Sequence, residues 1–450
     1  MQTVESTQLP NLVPTSRFKN LLDWLGRPYA FLDKCAQQYG DLFTIHLFGF
    51  QPLVLLSDPQ AVKEIFAMDA QQFDVGKGNR LLQPLLGDNS VILLDGDRHK
   101  RERKLLMPPF HGAKVASYAD TICQITTDLC NSWTPGQTIV AGEVMPEITM
   151  EVILQTVFGL REGDRYQELK SLLVSLLNLT GSPLSSSLLF FKPLQKDLGK
   201  WSPWGKVIHK RRRVYDLLQA EIDERRASEQ AEGDDMLSLM LLARDEAGEP
   251  MADDELKDEL ITMLVAGHET TASVICWAMY WVHKLPQVKA KLTAEIASAG
   301  KDADAMTLAK LPYLTAVASE SLRLYPIVPI VSPRITKTPI TIQGRRYPAG
   351  TFLAPCIYTL HHREDLYPDA KTFNPERFLA RQYSPFEFIP FGGGHRRCLG
   401  YALAKLEINL VLATILKTRS LTLASDEPVA PSRRGVVIAT NNGVPLLVER

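Results

Sequence analysis

Cys398 ends a glycine-rich stretch whose residue types suit the presentation of an ionised sulfur. It lies in the run FGGGHRRCLG, and the residues that follow, YALAKLEINLVLATILKT, have a helical pattern. Backbone N–H groups at the start of a helix, together with the nearby Arg396, favour the thiolate form of a cysteine placed there. Gly394 and Gly400 permit the backbone to approach a flat ligand, and Phe391 can shield the sulfur. The loop therefore predicts a thiolate beside a flat ligand.

An acid and an alcohol interrupt a long apolar segment earlier in the chain. Asp253–Lys284 contains the run ELITMLVAGHETTASVICWAMYWV, which is apolar nearly all round and predicts a helix buried inside the protein. Glu269 and Thr270 lie at its middle, after the small residues Ala266 and Gly267. A threonine hydroxyl can bond to the carbonyl four residues back and bend the helix. A buried acid beside an alcohol is suited to a proton relay. Taken alone, Glu269 is better explained as a structural acid salt-bridged within a core helix, and it is the cysteine loop that favours the relay.

Two other interpretations of this helix are excluded by its residues. His268 and Glu269 begin the pattern of a zinc-protease helix, but the second histidine of that pattern falls on Ala272. A membrane span is disfavoured because polar residues occupy the middle of the segment. The segment is therefore expected to be a buried core helix that does not bind zinc as a protease does.

Charged pairs occur at helical spacing in two further segments. Glu320 and Arg323 stand three residues apart in the apolar run VASESLRLYPIVP, where they share one helical face and can pair. His99 and Arg103 stand four apart in GDRHKRERKLLMPPF, again on one face. The first pair predicts structural support, and the second predicts a basic helical face.

The composition is that of an ordinary globular protein. The chain has 450 residues, of which 45% are hydrophobic and 22% charged, and its formal net charge is -1. Nothing in this balance favours a nucleic acid or an anionic membrane, so any electrostatic partner site has to be local. The six cysteines include no closely spaced pair, which indicates reduced intracellular thiols. The N-terminus lacks a signal peptide and an apolar span, so we expect a cytoplasmic protein.

Secondary-structure patterns predict a mainly α protein with smaller β-sheets, of the α+β class. Residues 1–14 are expected to form a flexible arm, and residues 15–450 a single domain. Strands are predicted in residues 41–59, as a hairpin, and in residues 335–352 and 435–448, the last folded at its Asn-Asn-Gly sequence. Most of the remainder has a helical pattern.

Residues 169–204 combine apolar helical runs with glycines, prolines and tryptophan. Two interpretations remain open for this segment. It is either a mobile lid over an apolar pocket or a plain surface pair of helices.

Together these motifs resemble those of the cytochrome P450 family. The cysteine run matches that family's haem-binding loop, Phe-x-x-Gly-x-Arg-x-Cys-x-Gly, at all five specified positions. Glu269 and Thr270 match its acid-alcohol pair, and Glu320 and Arg323 its Glu-x-x-Arg helix. The resemblance covers about residues 15–450, and within the family it points to bacterial, particularly cyanobacterial, members related to fatty-acid hydroxylases.

The resemblance implies a helix-rich lobe and a β-rich lobe that enclose one haem b, with Cys398 as the ligand to iron. An anionic sulfur favours cleavage of dioxygen, which implies a monooxygenase. Glu269 and Thr270 would relay protons, and Glu320, Arg323 and Arg377 would form a buried triad that supports the haem loop. The residues expected to contact the haem are His99, Arg103, Ala266, Arg334, Phe391, Gly392, Arg396, Cys398 and Gly400.

The segments that would line the substrate pocket are mainly aliphatic. They predict an apolar substrate held by shape, such as a long-chain fatty acid, a terpenoid or a similar lipid. Lys77 and Arg80 are interpreted as solvated loop charges rather than as partners of a substrate carboxylate. The predicted pocket residues are Leu85, Leu172, Met263, Val265, Ile327, Val328, Val331 and Val444.

The chain contains no flavin or iron–sulfur domain, so electrons from NAD(P)H have to arrive through a separate ferredoxin or flavodoxin. A local basic patch that would dock such an acidic partner is predicted from Arg98, Lys100, Arg101, Lys104 and Arg397. We expect a monomer without a transmembrane segment or a nucleic-acid partner. Two rival functions are a peroxide-driven or isomerising haem-thiolate enzyme, which the acid-alcohol pair disfavours, and a haem sensor or carrier without catalysis.

Overall fold

Helices make up most of the protein in this computed structural model, which describes residues 9–160, 162–178, 195–227 and 235–449. The predicted mainly α class with small sheets is confirmed. The helices are Arg17–Gly26, Pro28–Tyr39, Pro59–Ala67, Gln83–Leu86, Gly96–Leu106, Gly112–Ser117, Ala119–Asn131, Ala141–Thr156, Asp164–Asn178, Pro203–Ala227, Met236–Leu242, Asp253–Lys284, Pro286–Ser298, Ala305–Ala309, Pro312–Leu324, Ile357–His361, Glu376–Ala380 and Tyr401–Thr418.

The strands are short and belong to four sheets. They are β1 (Leu42–Ile45), β2 (Leu53–Leu56), β3 (Phe73–Asp74), β4 (Thr138–Val140), β5 (Arg334–Thr336), β6 (Ile340–Ile342), β7 (Arg345–Tyr347), β8 (Phe352–Pro355), β9 (Leu421–Leu423), β10 (Pro431–Arg434), β11 (Val437–Thr440) and β12 (Pro445–Val448). The largest sheet has the order β1-β2-β8-β5-β3, and the others are β6-β7, β10-β11 and β4-β12-β9.

Asp253–Lys284, hereafter the central helix, has the bounds that the sequence predicted. Its N-terminus is capped because the Glu255 carboxylate accepts the backbone N–H of Ala252 at 2.9 Å. Pro286 begins the next helix. The central helix is long and apolar enough to cross a membrane, but 67% of its most apolar window is buried inside the protein, as is typical of a core helix.

The central helix packs closely on the helix Ala141–Thr156. At Gly267 an added Cβ would lie 3.1 Å from the end of the Ile153 side chain, so an alanine there would require that side chain to shift by a few tenths of an ångström. His268 faces the same neighbour, where its Nδ1 lies 2.9 Å from the Thr149 hydroxyl. Burial lowers the pKa of His268 to about 4, so this histidine is neutral and belongs to the core.

The predicted hairpin in residues 41–59 is confirmed by the antiparallel pairing of β1 with β2, from Leu42 opposite Leu56 to Ile45 opposite Leu53. The predicted strands of residues 435–448 are present, but they do not pair with each other. β11 pairs with β10, whereas β12 pairs with β4 and β9. The turn at Gly443 therefore passes the chain from one sheet to another.

Residues 9–14 are packed rather than flexible, in contrast to the expected arm. Leu9 and Val13 are buried, and Leu12 bridges Thr44 of β1 in a parallel arrangement. The Thr44 hydroxyl also donates to the carbonyl of Pro10 at 2.6 Å. Residues 1–8 lie outside the described part of the chain, and a single domain over residues 15–450 stays a prediction.

The segment predicted as a lid or a pair of helices is described only at its two ends. Helix Asp164–Asn178 covers the first apolar run of this segment, and it packs against the helix Pro203–Ala227, which begins where the segment ends. Residues 179–194 lie outside the described residues, so the choice between the two interpretations stays open.

Candidate active site

The loop that carries Cys398 is held by backbone hydrogen bonds. The Cys398 N–H donates to the carbonyl of Phe391 at 3.0 Å, which closes the loop on itself. The N–H of Gly400 is directed at the sulfur. Gly394–Arg396 forms a short 3₁₀ turn, and the helix Tyr401–Thr418 begins directly after Gly400. The sulfur is thereby presented at the start of a helix, as the sequence predicted.

The glycines of this loop pack against protein, whereas the sequence suggested that they make room for a flat ligand. An added Cβ at Gly394 would lie 2.9 Å from the carbonyl oxygen of Phe66, and the φ of this residue is +64°. At Gly393 it would overlap the Phe66 ring. At Gly400 it would touch the ring of Phe110 at 3.6 Å. The loop therefore needs glycine at 393 and 394 to pack on the helix Pro59–Ala67.

Cys398 differs from the other cysteines in its surroundings. All six cysteines are unpaired and lie in described residues, but only Cys398 is exposed, and the rest are at least half-buried. Enough protein surrounds its sulfur that burial raises the pKa of the thiol, while the N–H of Gly400 and the charges of Arg103 and Arg397 lower it. A cation bound at the sulfur would shift this balance to the thiolate.

Basic side chains cluster beside the cysteine loop. The rings of His99 and His395 lie 6.1 Å apart in an edge-to-face arrangement. Burial lowers the pKa of His99 to about 3, with further lowering by Arg396 and Arg103. The pKa of Arg103 is also lowered by burial, and its side chain makes no hydrogen bond or ion pair with the described residues. These groups bring buried basic side chains close to one another beside the cysteine loop.

Two arginines of this cluster keep buried donors unused. Arg396 donates to Asp95 at 2.8 Å and to the carbonyls of Leu94 and Val91 at 2.6 and 3.2 Å. Arg334 reaches only backbone carbonyls, each at 3.4 Å. The Nε of both residues is buried without a hydrogen-bond partner. Burial lowers the pKa of each to about 10. Arg396 was expected to bind a haem propionate, but most of its N–H donors are already hydrogen-bonded to protein groups.

This donor set fits the haem that the motifs imply. One carboxylate, that of Asp95, pairs with the cluster, so the positive charge of its arginines is only partly compensated. A ligand with two carboxylates would balance that charge, and Cys398 would supply a sulfur ligand to its metal ion. The geometry therefore suits a flat, dianionic metal chelate.

The acid and the alcohol of the central helix have the predicted local geometry. The Thr270 hydroxyl donates to the carbonyl of Ala266 at 2.6 Å, and Ala266 itself is exposed, so this stretch of the helix has an accessible face. The Glu269 carboxyl makes no hydrogen bond with the described residues. Burial raises its pKa to about 7, and the charge of Arg434 opposes that rise. Glu269 can therefore both hold and release a proton near neutral pH.

The predicted charged triad is present and buried. Arg323 binds Glu320 with two hydrogen bonds, Nε to Oε2 at 2.7 Å and a terminal nitrogen to Oε1 at 2.8 Å. Arg377 donates its Nε to Oε1 at 3.1 Å, and the backbone N–H of Asn374 adds a bond to the same oxygen at 2.9 Å. Glu320 and Arg323 have no exposed surface, and Arg377 is 8% exposed.

His361 connects this triad to the cysteine loop and was missed from the sequence. Its carbonyl accepts from Arg323 at 2.7 Å, and its buried Nε2 accepts the backbone N–H of Ile389 at 2.9 Å. The carbonyl of Ile389 in turn accepts the N–H of Gly392 at 2.9 Å. Burial and the charge of Arg323 lower the pKa of His361 to about 3, which keeps Nε2 an acceptor. No motif marked it, because its partner lies 28 residues away in the chain.

A small apolar cavity lies between the central helix and the helices Gln83–Leu86, Asp164–Asn178 and Pro203–Ala227. Of the predicted pocket residues, Leu85 and Val265 line it. The other six lie outside its lining, and their assignment stays a prediction. Arg211 was not predicted, and it donates to the Tyr215 hydroxyl at 2.6 Å and to the carbonyl of Pro84 at 3.2 Å. The cavity is lined by Pro84, Leu85, Leu173, Leu176, Val207, Arg211, Ile261, Leu264 and Val265.

The predicted basic patch is smaller than expected, because acidic residues of another segment neutralise part of it. Arg101 pairs with Asp245 at 2.7 Å, and Lys104 pairs with Glu246 at 2.9 Å. The sequence could not place these acids, which lie more than 140 positions away from the basic helix. Arg397 lies over the ring of Tyr401, 3.9 Å from its centre.

Comparison with known proteins identifies relatives over nearly the whole chain. A family model described as Cytochrome P450 matches residues 10–446. Putative cytochrome P450 135B1 of Mycobacterium tuberculosis is 37% identical over 424 residues, which are 93% of this chain and 86% of that protein. Putative cytochrome P450 135A1 of the same species is 31% identical over 447 residues, which are 98% of this chain and 93% of that protein.

Solved structures share the fold. Retinoic acid bound cyanobacterial CYP120A1 superposes with a TM-score of 0.83 at 25% identity, over 98% of this chain and 99% of that chain. The cytochrome P450DA heme domain superposes with a TM-score of 0.85 at 23% identity, over 98% of this chain and 96% of that chain. The fold predicted from the motifs is thereby confirmed.

Arg323→Ala should destabilise the protein strongly, because it leaves the Glu320 carboxylate buried without its main partner. We expect a loss of about 3–5 kcal/mol in the free energy of unfolding, measured by urea denaturation, together with a lower haem content. Arg346→Ala, on exposed β7, is the matched control and should change little. Equal stability of the two variants would contradict a supporting role for the triad.

His361→Leu should loosen the cysteine loop without removing any charge, since it leaves the Ile389 N–H buried and unpaired at a cost of about 1–3 kcal/mol. We expect the reduced, carbon-monoxide-treated variant to lose the red-shifted Soret band of sulfur ligation at lower urea concentrations than the parent protein. His361→Gln, which retains an acceptor, should recover part of the loss. His362→Leu is the control, because its ring bonds the carbonyl of Tyr358 instead of the loop. An unchanged urea profile for His361→Leu would remove His361 from this role.

Proposed function

Because this chain belongs to the cytochrome P450 family and is therefore a haem-dependent monooxygenase, we propose that it hydroxylates an unactivated C–H bond of an apolar small molecule. The observation that carries the proposal is the accessible sulfur of Cys398 at the start of a helix, where the Gly400 N–H and the charge of Arg103 both favour its thiolate. Cys398 is the proposed sulfur ligand. An accessible sulfur in such a positive field suits metal ligation far better than a purely structural cysteine does.

Haem b is the proposed form of the cofactor, and it supplies an electron-rich iron that activates dioxygen when bound. His99, Arg103 and Arg334 would hold its propionates, with a smaller part for Arg396. The free donors of Arg103 and the unused Nε of Arg334 support this assignment. Ala266, Phe391, Gly392 and Gly400 are proposed as its remaining contacts. The triad of Glu320, Arg323 and Arg377 would keep the loop in position.

Glu269 and Thr270 are proposed to move protons during the reaction. Glu269 is half-buried, and with a pKa of about 7 it exchanges a proton readily at neutral pH. Thr270 holds its hydroxyl on the Ala266 carbonyl, next to the accessible face of the helix. Neutral His268 behind them is bonded to Thr149 and takes no part. Protons would thus reach the reaction through the Glu269 carboxyl and the Thr270 hydroxyl instead of directly from bulk water.

A long-chain fatty acid, a terpenoid or a similar lipid is the proposed substrate class. Aliphatic residues line the described cavity, with Arg211 as its charged member. An apolar body with one acidic end would suit that lining, the carboxylate meeting Arg211. Retinoic acid, the molecule bound to the cyanobacterial CYP120A1, has this chemistry. Arg211 also pairs with Asp258, at 3.5 Å, so a substrate carboxylate would share it with that residue. Lys77 lies outside the lining of this cavity.

Electrons are proposed to come from NAD(P)H through a separate ferredoxin or flavodoxin. The cations available for an acidic partner are fewer than the sequence suggested, and they are centred on Arg98, Lys100 and Arg397. Their charge would steer the encounter more than it would tighten the complex. A cytoplasmic monomer remains our expectation.

Reconstitution tests the proposal as a whole. Purified haem-loaded protein is supplied with NADPH, ferredoxin and ferredoxin reductase, and products from fatty acids and terpenes are identified by mass spectrometry. Substrate-dependent NADPH consumption with a hydroxylated product supports it. Haem binding without any product would favour a sensor or carrier, and product formed from peroxide alone, with none from NADPH, would favour a peroxide-driven enzyme.

Thr270→Ala should retain haem, but more of the electrons that it receives should form peroxide instead of hydroxylated product. We expect the ratio of product to peroxide to fall about tenfold or more, since positioned proton transfer contributes about 10²–10⁴-fold. Thr293→Ala, a remote exposed threonine with the same bond to the carbonyl four residues back, is the control. Unchanged coupling in Thr270→Ala would refute the relay.

The coupling of the parent enzyme should depend on pH through Glu269. Because burial raises the pKa of this carboxyl to about 7, it holds its proton below neutral pH and loses it above. Product formed per NADPH should therefore decline as pH rises through about 7, and Glu269→Gln should remove this step. The control is Glu427→Gln at an exposed site, which should keep the step. Persistence of the step in Glu269→Gln would assign it to another group.

Arg211→Leu should weaken binding of a fatty acid but not of its methyl ester. A hydrogen bond to a charged group contributes about 1.5–3 kcal/mol, so the dissociation constant of the acid should rise about tenfold or more, measured from the low-to-high spin shift. Arg213→Leu is the matched control, because Arg213 is exposed and pairs with Glu168 at 2.6 Å. An equal loss for acid and ester would mean that Arg211 shapes the cavity without recognising a carboxylate.

A further inference from the structure

Tryptophan and tyrosine rings form a continuous line from the central helix to a half-exposed ion pair. The Trp277 ring stacks on that of Tyr325, with ring centres 3.6 Å apart and planes 4° from parallel. The ring of Tyr325 lies 6.4 Å from that of Tyr29, and Tyr29 stacks on Tyr358 at 4.1 Å and 7°. We call Trp277, Tyr325, Tyr29 and Tyr358 the aromatic line.

The inner end of the aromatic line lies near the proposed reaction site. Trp277 follows Thr270 by two helical turns, so both side chains leave the central helix on nearly the same side, about 10 Å apart along its axis. The Trp277 ring is fully buried. Trp281, one turn further on, forms a second stacked pair with Tyr325 at 6.4 Å. An indole is therefore the first aromatic ring that follows Thr270 on the central helix.

Two inner rings of the line can lose an electron but have no base that takes their proton. The Trp277 Nε1–H is buried without a hydrogen-bond partner among the described residues. The Tyr29 hydroxyl donates to the carbonyl of Pro326 at 2.7 Å, and an amide carbonyl accepts a hydrogen bond but is a very poor base. A positive charge on either ring is therefore not trapped by loss of a proton, and it can pass along the line.

The outer end of the line does have a base. The Tyr358 hydroxyl donates to the Asp33 carboxylate at 3.0 Å. Lys371 donates to the same carboxylate at 2.6 Å and to the Tyr358 hydroxyl at 2.7 Å. Tyr358 is 4% exposed, whereas the side chains of Asp33 and Lys371 are 32% and 55% exposed. An oxidised Tyr358 can thus give its proton to Asp33, which exchanges protons with solvent.

The residue types of the aromatic line are not those that packing alone requires. A phenylalanine ring would stack as well, without a polar group that needs a partner. Phenylalanine is also the commonest aromatic residue of the chain, with 17 copies against 13 tyrosines and 6 tryptophans. All four members of the line are nevertheless indoles or phenols, the aromatic side chains that give up an electron most easily. Ring contacts and residue types therefore both favour the movement of charge.

We propose that the aromatic line carries oxidising equivalents away from the active site when no substrate is in place. This function depends on the haem-dependent oxygen chemistry of the family, but not on the substrate proposed above. The oxidised cofactor gains one electron from Trp277, and Tyr325, Tyr29 and Tyr358 replace that electron in turn. Tyr358 loses one electron and its phenolic proton, and the Asp33 carboxylate takes the proton.

A small reductant completes the cycle at the surface. A thiol or ascorbate that supplies one electron and one proton restores the Tyr358 phenol, and Asp33 releases the first proton to solvent. Two such cycles supply the two electrons that peroxide, a two-electron oxidant, withdraws from the cofactor. The protons that accompany these electrons at the cofactor would arrive through Glu269 and Thr270.

Electron paramagnetic resonance of the ferric, haem-loaded protein tests this proposal. Peroxide is added without substrate and the sample is frozen rapidly. We expect a tyrosyl signal that narrows when ring-deuterated tyrosine is incorporated and that is largely lost in Tyr358→Phe. Asp33→Asn keeps the ring but removes the base, so it should lose the signal too. Tyr325→Leu interrupts the line and should leave a tryptophanyl signal instead.

Mass spectrometry of the same samples locates the oxidative damage. Cys276 and Met279 neighbour Trp277 in the chain, and both residue types are readily oxidised. Their oxidation should rise severalfold in Tyr358→Phe and in Tyr325→Leu, because the charge no longer leaves the protein interior.

Tyr313→Phe is the matched control, because Tyr313 is also 4% exposed but lies outside the aromatic line. It should keep both the tyrosyl signal and the low level of damage. The carbon monoxide spectrum verifies that each variant is folded around its haem. Absence of a tyrosyl signal in the parent protein, an undiminished signal in Tyr358→Phe, or an equal loss in Tyr313→Phe would overturn the proposal. The samples contain neither substrate nor redox partner, so these outcomes are independent of the hydroxylation assay.

Discussion

The buried carboxylate of Glu320 constrains the structure around the cysteine loop. It has no contact with water, so the arginines that bind it have to be brought together from the helices Pro312–Leu324 and Glu376–Ala380. Arg323 then bonds backbone carbonyls with its remaining donors, and one of these belongs to His361. Through the imidazole of His361 the network reaches the chain that leads to Cys398. The buried charge of Glu320 thus helps to position the loop that carries Cys398.

Burial raises the pKa of two acidic groups at the site, the thiol of Cys398 and the carboxyl of Glu269. At Cys398, burial opposes ionisation, and nearby cations and an N–H group favour it, so a bound metal ion would decide the outcome. At Glu269, burial alone brings the pKa to about 7. The buried positive charges of Arg103 and Arg334 would be balanced by an anionic ligand bound beside them. Together these groups suit the reductive activation of oxygen within a largely apolar protein.

What could be predicted from the sequence depended on short spacings. Glu320 and Arg323 pair because they are one helical turn apart, and Thr270 bonds Ala266 for the same reason. The bounds of the central helix follow from its apolar run and the proline after it. Cys398 was identified because a glycine-rich loop, the cysteine and the following helix are contiguous in the chain. Such features depend on the geometry of one turn or one loop and need no knowledge of the rest of the fold.

Other features were decided only when distant segments met. The bond of His361 to Ile389, the partners of Arg396, and the neutralisation of Arg101 by Asp245 all join residues far apart in the chain. The pairing of β11 and β12 in different sheets was also unpredictable, because a strand pattern in the sequence does not show which strand it will pair with. The sequence by itself determined which residues could do the chemistry. Tertiary structure decided which charges remain unpaired and which surfaces stay open, because pairing and burial depend on every segment that packs nearby.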